Sequence, residues 1–400
     1  MPNLKCRHCL SPLDHSFLDL GHQPPSNSYL DHQRLGLPEI TYPLKTYVCT
    51  ECWLVQLPKH AEAHELFTDD YAYFSSTSTT WCAHAEKFVN QAITRLGLTA
   101  NSLVTEIASN DGYLLQYLVD LGIPCVGIEP TSATAQAAIK RGIPTIIRFF
   151  GVSLAQELEK ADLIIANNVL AHVPDINNFM QGLALLLKPD GMISVEFPHL
   201  LNLLYGNQFD TIYHEHYSYL SLDIVVRLCT EFGLEVIDVE RLNTHGGSLR
   251  VWAAHSGRYV PTKSVKVVLN LETKLGLRNL KSYDSLQSKA DETKYALLKL
   301  LIDAKSRNEI VYGYGAAAKG NTLLNFAGIR SDLLPFVIDR AHSKQGKYLP
   351  GSHIPIVGPD QLDNCNPDLL LVLPWNLVRE IKHQLPRYRL ATVIPEVIYW

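Results

Sequence analysis

An excess of charge of one sign is the first thing this sequence lacks. Its 35 Lys and Arg stand against 40 Asp and Glu, a formal net charge of −5, and no basic run stands out. A phosphate backbone would find little general attraction here, which argues against a nucleic-acid partner. Long apolar stretches are missing as well. No run of about 18 or more apolar residues offers a membrane span, and Met1 to Lys5 has no signal-peptide character, so a cytoplasmic protein without a membrane partner is expected. Eight cysteines in 400 residues are too few for a disulfide scaffold. The chain does have enough apolar residues, 46%, for two or three domains with real cores.

Four of those cysteines form two close pairs, Cys6-Arg7-His8-Cys9 and Cys49-Thr50-Glu51-Cys52. Each C-x2-C turn can aim two thiolates at one ion, and four thiolates suit tetrahedral zinc. With sulfur in every position, none is left open for water, so the metal is expected to be structural. His8 is not needed as a ligand and reads as a surface residue or one supporting the ligands. Beyond Pro58 an aromatic, hydroxyl-rich segment, Phe67 to Ser78, leads into a helical stretch from about Trp81 to Leu96. Within it Tyr73 reads, by itself, as a packing residue.

From Ser102 an apolar run, a polar turn and an amphipathic stretch alternate, the pattern of a right-handed β-α-β unit. The turn Glu106-Ile107-Ala108-Ser109-Asn110-Asp111-Gly112 has one glycine and two acids, so it is not the dinucleotide fingerprint, and pyrophosphate would sit poorly beside Asp111. Glu129, followed by Pro130, ends the second strand where a ribose diol would be bonded. A cationic ligand fits these residues, which points to S-adenosylmethionine held by Glu106, Ala108, Ser109, Asn110, Asp111, Glu129 and Pro130. Asn167 and Asn168 end a third apolar strand at the same rim, and His172 emerges beside them.

The densest chemistry lies in Tyr213-His214-Glu215-His216-Tyr217-Ser218-Tyr219. A phenol, two imidazoles and a carboxylate within four positions are groups that move protons near neutral pH; a His-rich structural loop is the alternative. The histidines are two apart, not four, which argues against a helical zinc-protease motif. His245-Gly246-Gly247 forms a later turn between two strands. A second strand and turn, Glu309 to Asn321, is followed by a strand, Leu334 to Asp339, that ends in an acid. Its turn lacks the dinucleotide spacing, and Lys319 favours a phosphate. From sequence alone this unit could still hold NAD, which leaves an NAD-dependent oxidoreductase or epimerase as an alternative function.

Taken in order, the Cys pairs, Tyr73-Phe74-Ser75-Ser76, the Glu106 to Gly112 turn, Asn168-Val169-Leu170-Ala171-His172, Tyr213-His214-Glu215-His216, His245-Gly246-Gly247-Ser248 and Gly313-Tyr314-Gly315-Ala316 resemble the zinc-containing, S-adenosylmethionine-dependent sugar C-methyltransferases, which act on nucleotide-linked 4-keto deoxysugars. The likeness spans nearly the whole chain, and its specificity lies in the order of the motifs. One departure is Ala108, where many methyltransferases have glycine. The resemblance implies an α/β protein: a small zinc ribbon (1–66), a Rossmann-like methyltransferase domain (67–256) and a second Rossmann-like domain (257–400) that helps hold the sugar nucleotide. It implies methylation at C3, with His216 as the base, Glu215 supporting it or binding a sugar hydroxyl, and Tyr213, Tyr73 and His172 facing the ketone or positioning the ring. His245, Lys319 and Asn321 would meet substrate. Thymidine diphosphate is the family's commonest carrier; guanosine or cytidine diphosphate would need small pocket changes. A monomer or weak homo-oligomer is expected.

Overall fold

The computed structural model describes residues 4–66 and 74–400. Three strands, β1 (His15–Gln23), β2 (Tyr42–Val48) and β3 (Val55–Gln56), open the chain as an antiparallel sheet. In β2 the period of two puts Leu44, Thr46 and Val48 inward and leaves the intervening residues half-buried.

The helix Thr79–Leu96 starts where the Ser78 hydroxyl accepts from the Trp81 amide and stops at Gly97, whose φ of 62° suits glycine. It buries Ala85, Phe88, Val89 and Ala92 against a sheet whose first five strands are β4 (Val104–Ile107), β5 (Cys125–Ile128), β6 (Thr145–Ile146), β7 (Ala161–Asn167) and β8 (Leu187–Pro198), all parallel. Every residue of β4 is buried, as expected of a parallel strand covered on both faces. The chain then leaves this sheet. Its next strand, β9 (Ser218–Tyr219), pairs with β3 and becomes the fourth strand of the N-terminal sheet.

Two antiparallel strands, β10 (Leu234–Leu242) and β11 (Ser248–His255), complete the seven-stranded sheet in the order β6-β5-β4-β7-β8-β11-β10. Its connections reverse direction between β4 and β7, the crevice where open α/β sheets bind ligands. The helix Lys263–Lys274 packs on β10, and the helix Ser285–Ser306 leads into the last sheet. There β12 (Val311–Tyr314), β13 (Val337–Ile338), β14 (Ile356–Val357), β15 (Leu369–Val372) and β16 (Leu390–Thr392) are parallel, and β17 (Ile398–Tyr399) is antiparallel.

Gly315, after β12, has φ 88°, and a Cβ there would lie 2.5 Å from Pro374 Cδ. The close approach that this glycine permits is thus taken by the chain's own Pro374. Phe17, Leu18 and Leu44 share one apolar core with Leu297, Leu301 and Leu324, so the first and last sheets are packed as one body. Among the described residues no helix is long and apolar enough to cross a membrane.

Candidate active site

The four paired thiols converge, with all sulfur atoms within 4.8 Å of one another. Cys6 to Cys52 and Cys9 to Cys49 are each 3.5 Å apart. Two matching knuckles produce this: the Leu10 amide donates to the Cys6 carbonyl and the Trp53 amide to the Cys49 carbonyl, and both Leu10 and Trp53 have φ 63°. Four clustered sulfur ligands, the one such donor set among the described residues, fit a structural zinc ion. Gln56 Nε2 donates to Cys6 Sγ (3.1 Å), supporting that ligand. His8 is not a surface residue: at 4% exposure, its ring bonds Asn177 and faces Glu231.

At the rim of the seven-stranded sheet three carboxylates are sunk together, Glu106 (1% exposed), Asp111 (0%) and Glu129 (4%). Burial raises Glu106 well above the usual carboxylate range, and the neighbouring Glu129 and Asp111 push it further. Burial also raises Glu129, although Thr131 and the Asn110 amide bond it. The Asn110 and Thr131 amides each donate to Glu129 at 2.9 Å, and carboxylate oxygens retain acceptor capacity beyond those bonds. Among the described residues, Glu106 Oε2 and both side-chain amide atoms of Asn168 find no hydrogen-bond partner. Crowded buried acids with unused acceptors suit a ligand carrying an ammonium and a sulfonium, and so S-adenosylmethionine. The turn is clamped by Ser75, whose amide donates to Asn110 Oδ1 (2.9 Å), and by Ser76, which donates to Asp111. Ala108 adopts φ 58°, the left-handed turn usually given to glycine. Ser109 is fully buried, and Pro130 and Asn167 line the same rim.

Tyr213 to His216 is a tight turn closed by the His216 amide on the Tyr213 carbonyl (2.9 Å), which brings the first and fourth side chains together. His216 Nδ1 donates to the Thr211 carbonyl (2.9 Å). That bond fixes the tautomer, leaving Nε2 as an acceptor for the Tyr213 hydroxyl at 2.7 Å. His172 Nδ1 donates to the Glu215 carbonyl (2.8 Å), and its ring lies 4.6 Å from that of His216. Burial drops His172 to about 4. His216 is held well below the usual imidazole value by burial, with the charge on His172 next in effect and those on His245 and Lys319 adding to it.

Glu215 does not bond either imidazole; its carboxylate accepts from the amide and side chain of Asn27, both 3.2 Å away. Burial raises it. His214 turns the other way, into the N-terminal sheet against Tyr42. Tyr73 lies outside the described residues.

The remaining predicted residues fall at the junction of the two larger sheets. His245 (φ 52°) packs edge-on against Trp81 with ring centroids 5.0 Å apart, and its buried Nε2 has no hydrogen-bond partner among the described residues. Lys319 Nζ donates to Asn376 Oδ1 (2.8 Å) and lies 4.8 Å from the Trp375 ring. Asn321 is buried facing the Ser26 carbonyl.

Sequence reasoning missed two buried carboxylates here. Glu196, on β8, accepts from Arg250 (2.8 Å), Thr244 (3.0 Å) and His84 (2.9 Å). Burial alone would raise it, but His84 and Arg250 outweigh burial and hold it below the usual value. Asp210, raised to about 6 by burial, accepts from the Trp375 indole (2.8 Å). A charged residue in an apolar context, rarely buried unless paired, was the available signal for both.

Family comparisons agree with this architecture. Residues 6–67 match the family described as "Putative zinc binding domain", residues 81–239 "Methyltransferase domain" and residues 243–394 "C-methyltransferase C-terminal domain". C-methyltransferase NovU of Streptomyces niveus is 34% identical over 382 residues, 94% of this chain and 91% of that protein. A ubiquinone biosynthesis O-methyltransferase of Rhodopseudomonas palustris is 30% identical over 94 residues, only 22% of this chain and 37% of its own. Among solved structures, magnesium protoporphyrin IX methyltransferase from Synechocystis PCC 6803 with bound SAM aligns at TM-score 0.35 and 16% identity, over 45% of this chain and 84% of its own, too distant to carry an argument. With four converging thiols, buried carboxylates at the rim of a methyltransferase-type sheet and near-full-length kinship to a C-methyltransferase, the chain belongs to the zinc-binding, S-adenosylmethionine-dependent C-methyltransferases.

Proposed function

We propose that this C-methyltransferase transfers a methyl group to C3 of a nucleotide-diphosphate-linked 4-keto-6-deoxysugar, with His216 as the base. The observation that carries this reading is the pre-set His216 tautomer: Nδ1–H is committed to the Thr211 carbonyl, so the lone pair of Nε2 faces the Tyr213 hydroxyl at the junction of the sheets. A 4-keto group acidifies the C3 proton because its loss delocalises charge onto oxygen. His216, held neutral by burial, is a competent acceptor at pH 7. The substrate displaces the Tyr213 hydroxyl from Nε2, and that hydroxyl is then placed to donate to the ketone oxygen as charge develops there.

Glu106, Asp111, Glu129 and Asn168 would hold S-adenosylmethionine, which supplies an electrophilic methyl group when bound. Residues of the last sheet hold the nucleotide end: Lys319, beside Trp375, supplies a cation for the diphosphate. The oxidoreductase or epimerase alternative draws no support from the Gly315 turn, whose close approach is filled by Pro374.

The test is incubation with S-adenosylmethionine and a panel of thymidine, guanosine and cytidine diphosphate 4-keto-6-deoxysugars. A product heavier by one methylene, with the new methyl on C3 by NMR, is expected from at least one. Methylation on oxygen or nitrogen, or at another carbon, would overturn the proposal.

A further inference from the structure

The two imidazoles of the proposed proton-transfer site sit on separate loops, His172 after β7 and His216 before β9. Their mutual geometry therefore depends on what ties those loops together. Arg7 reaches both. Its backbone lies inside the first knuckle, between Cys6 and Cys9, and its amide donates to Gln56 Oε1 (2.9 Å), the same side chain that donates to Cys6 Sγ. The guanidinium bonds two other segments. Nη1 donates to the carbonyl of Pro174 (2.9 Å), two residues beyond His172. Nη2 donates to the carbonyl of Leu57, whose own amide donates to the Tyr217 carbonyl (3.0 Å). The guanidinium carbon lies 5.2 Å from the centroid of the Tyr217 ring, the residue next to His216.

We propose that Arg7 is a positioning residue for the proton-transfer site, fixing the His172 and His216 loops against each other from a backbone anchored in the thiolate knuckle. The inference rests on the reading of His216 as the base. Nothing places Arg7 against substrate, so its role runs through the loops it bonds. The planar fork is required: one nitrogen serves each carbonyl while the face covers Tyr217, an arrangement that a lysine ammonium cannot reproduce.

The test compares Arg7→Ala, Arg7→Lys and Tyr217→Leu with the wild type in zinc content, imidazole titration by NMR, and kcat and KM for C3 proton exchange. Arg7→Ala is expected to keep its zinc and S-adenosylmethionine affinity, move the titrations of His172 and His216, and lower kcat by about 10- to 100-fold, the scale of an ångström-sized misplacement. Arg7→Lys should not restore the rate, whereas added guanidinium should recover part of it in Arg7→Ala alone. Should Arg7→Ala lose zinc, Tyr217→Leu, which perturbs the contact from outside the knuckle, should move the same titrations. Unaltered titrations and kcat in the folded variants would overturn the proposal. If the wild type exchanges no C3 proton, the base reading has failed. The imidazole titrations then still show whether Arg7 ties the two loops.

Discussion

Ala108 holds φ 58° in the Glu106 to Gly112 turn, a conformation that costs a non-glycine residue about 1–2 kcal/mol. Glycine would remove that strain and give back part of the gain as unfolded-chain entropy. Ala108→Gly is therefore predicted to stabilise the protein by about 0.5–1 kcal/mol, read as a higher urea midpoint at unchanged slope. A lower midpoint would contradict the strain argument. His214 makes the opposite kind of contribution. Burial drops it to about 4, so between pH 6.5 and 4 the unfolded chain takes a proton that the folded chain refuses, and stability falls with pH across that window. For this 5%-exposed group the loss between pH 7 and pH 5 is about 2 kcal/mol. His214→Gln should shrink the difference between the urea midpoints at those two pH values. An unchanged difference would show that His214 is not the acid-sensitive group.

At the scale of elements, the informative one is β9. It follows closely on the Tyr213 to His216 turn yet pairs with β3, which begins three residues after Cys52. The thiolate cluster therefore braces the loop as well as the N-terminal sheet. Metal analysis is predicted to find about one zinc per chain. Stripping it with a chelator should speed hydrogen exchange at 55–57 and 218–219 together, whereas protection surviving at 218–219 would separate the loop from the metal. The Cys pairs, the β-α-β pattern and the Glu106 to Gly112 turn were legible in sequence because each is a local signal of spacing or period. The tight turn that sets Tyr213 on His216 was legible only as a loop. The pairing of β9 with β3, the bond from Trp375 to Asp210 and the reach of Arg7 to Pro174 join residues more than 160 positions apart. No local periodicity encodes such contacts, and Glu215 accordingly turned to Asn27 instead of to an imidazole.

Across the whole molecule, three sheets meet around one short loop. The rim of buried carboxylates comes from the seven-stranded sheet, Lys319 from the last, and the strand that pairs with β3 from the first. Because burial holds His216 well below 6.5, its imidazole stays neutral as pH falls through that value. C3 proton exchange should stay level from pH 8 to about 6 and decline only below that. Half-loss near 6.5 would indicate a solvent-exposed base. The most direct test of the account is made in deuterated water without S-adenosylmethionine, following deuterium incorporation at C3 of the keto sugar nucleotide by NMR. The account predicts incorporation by the wild type and a loss of about 10²- to 10⁴-fold in His216→Ala, with S-adenosylmethionine affinity retained by calorimetry. Exchange by His216→Ala at the wild-type rate would contradict it.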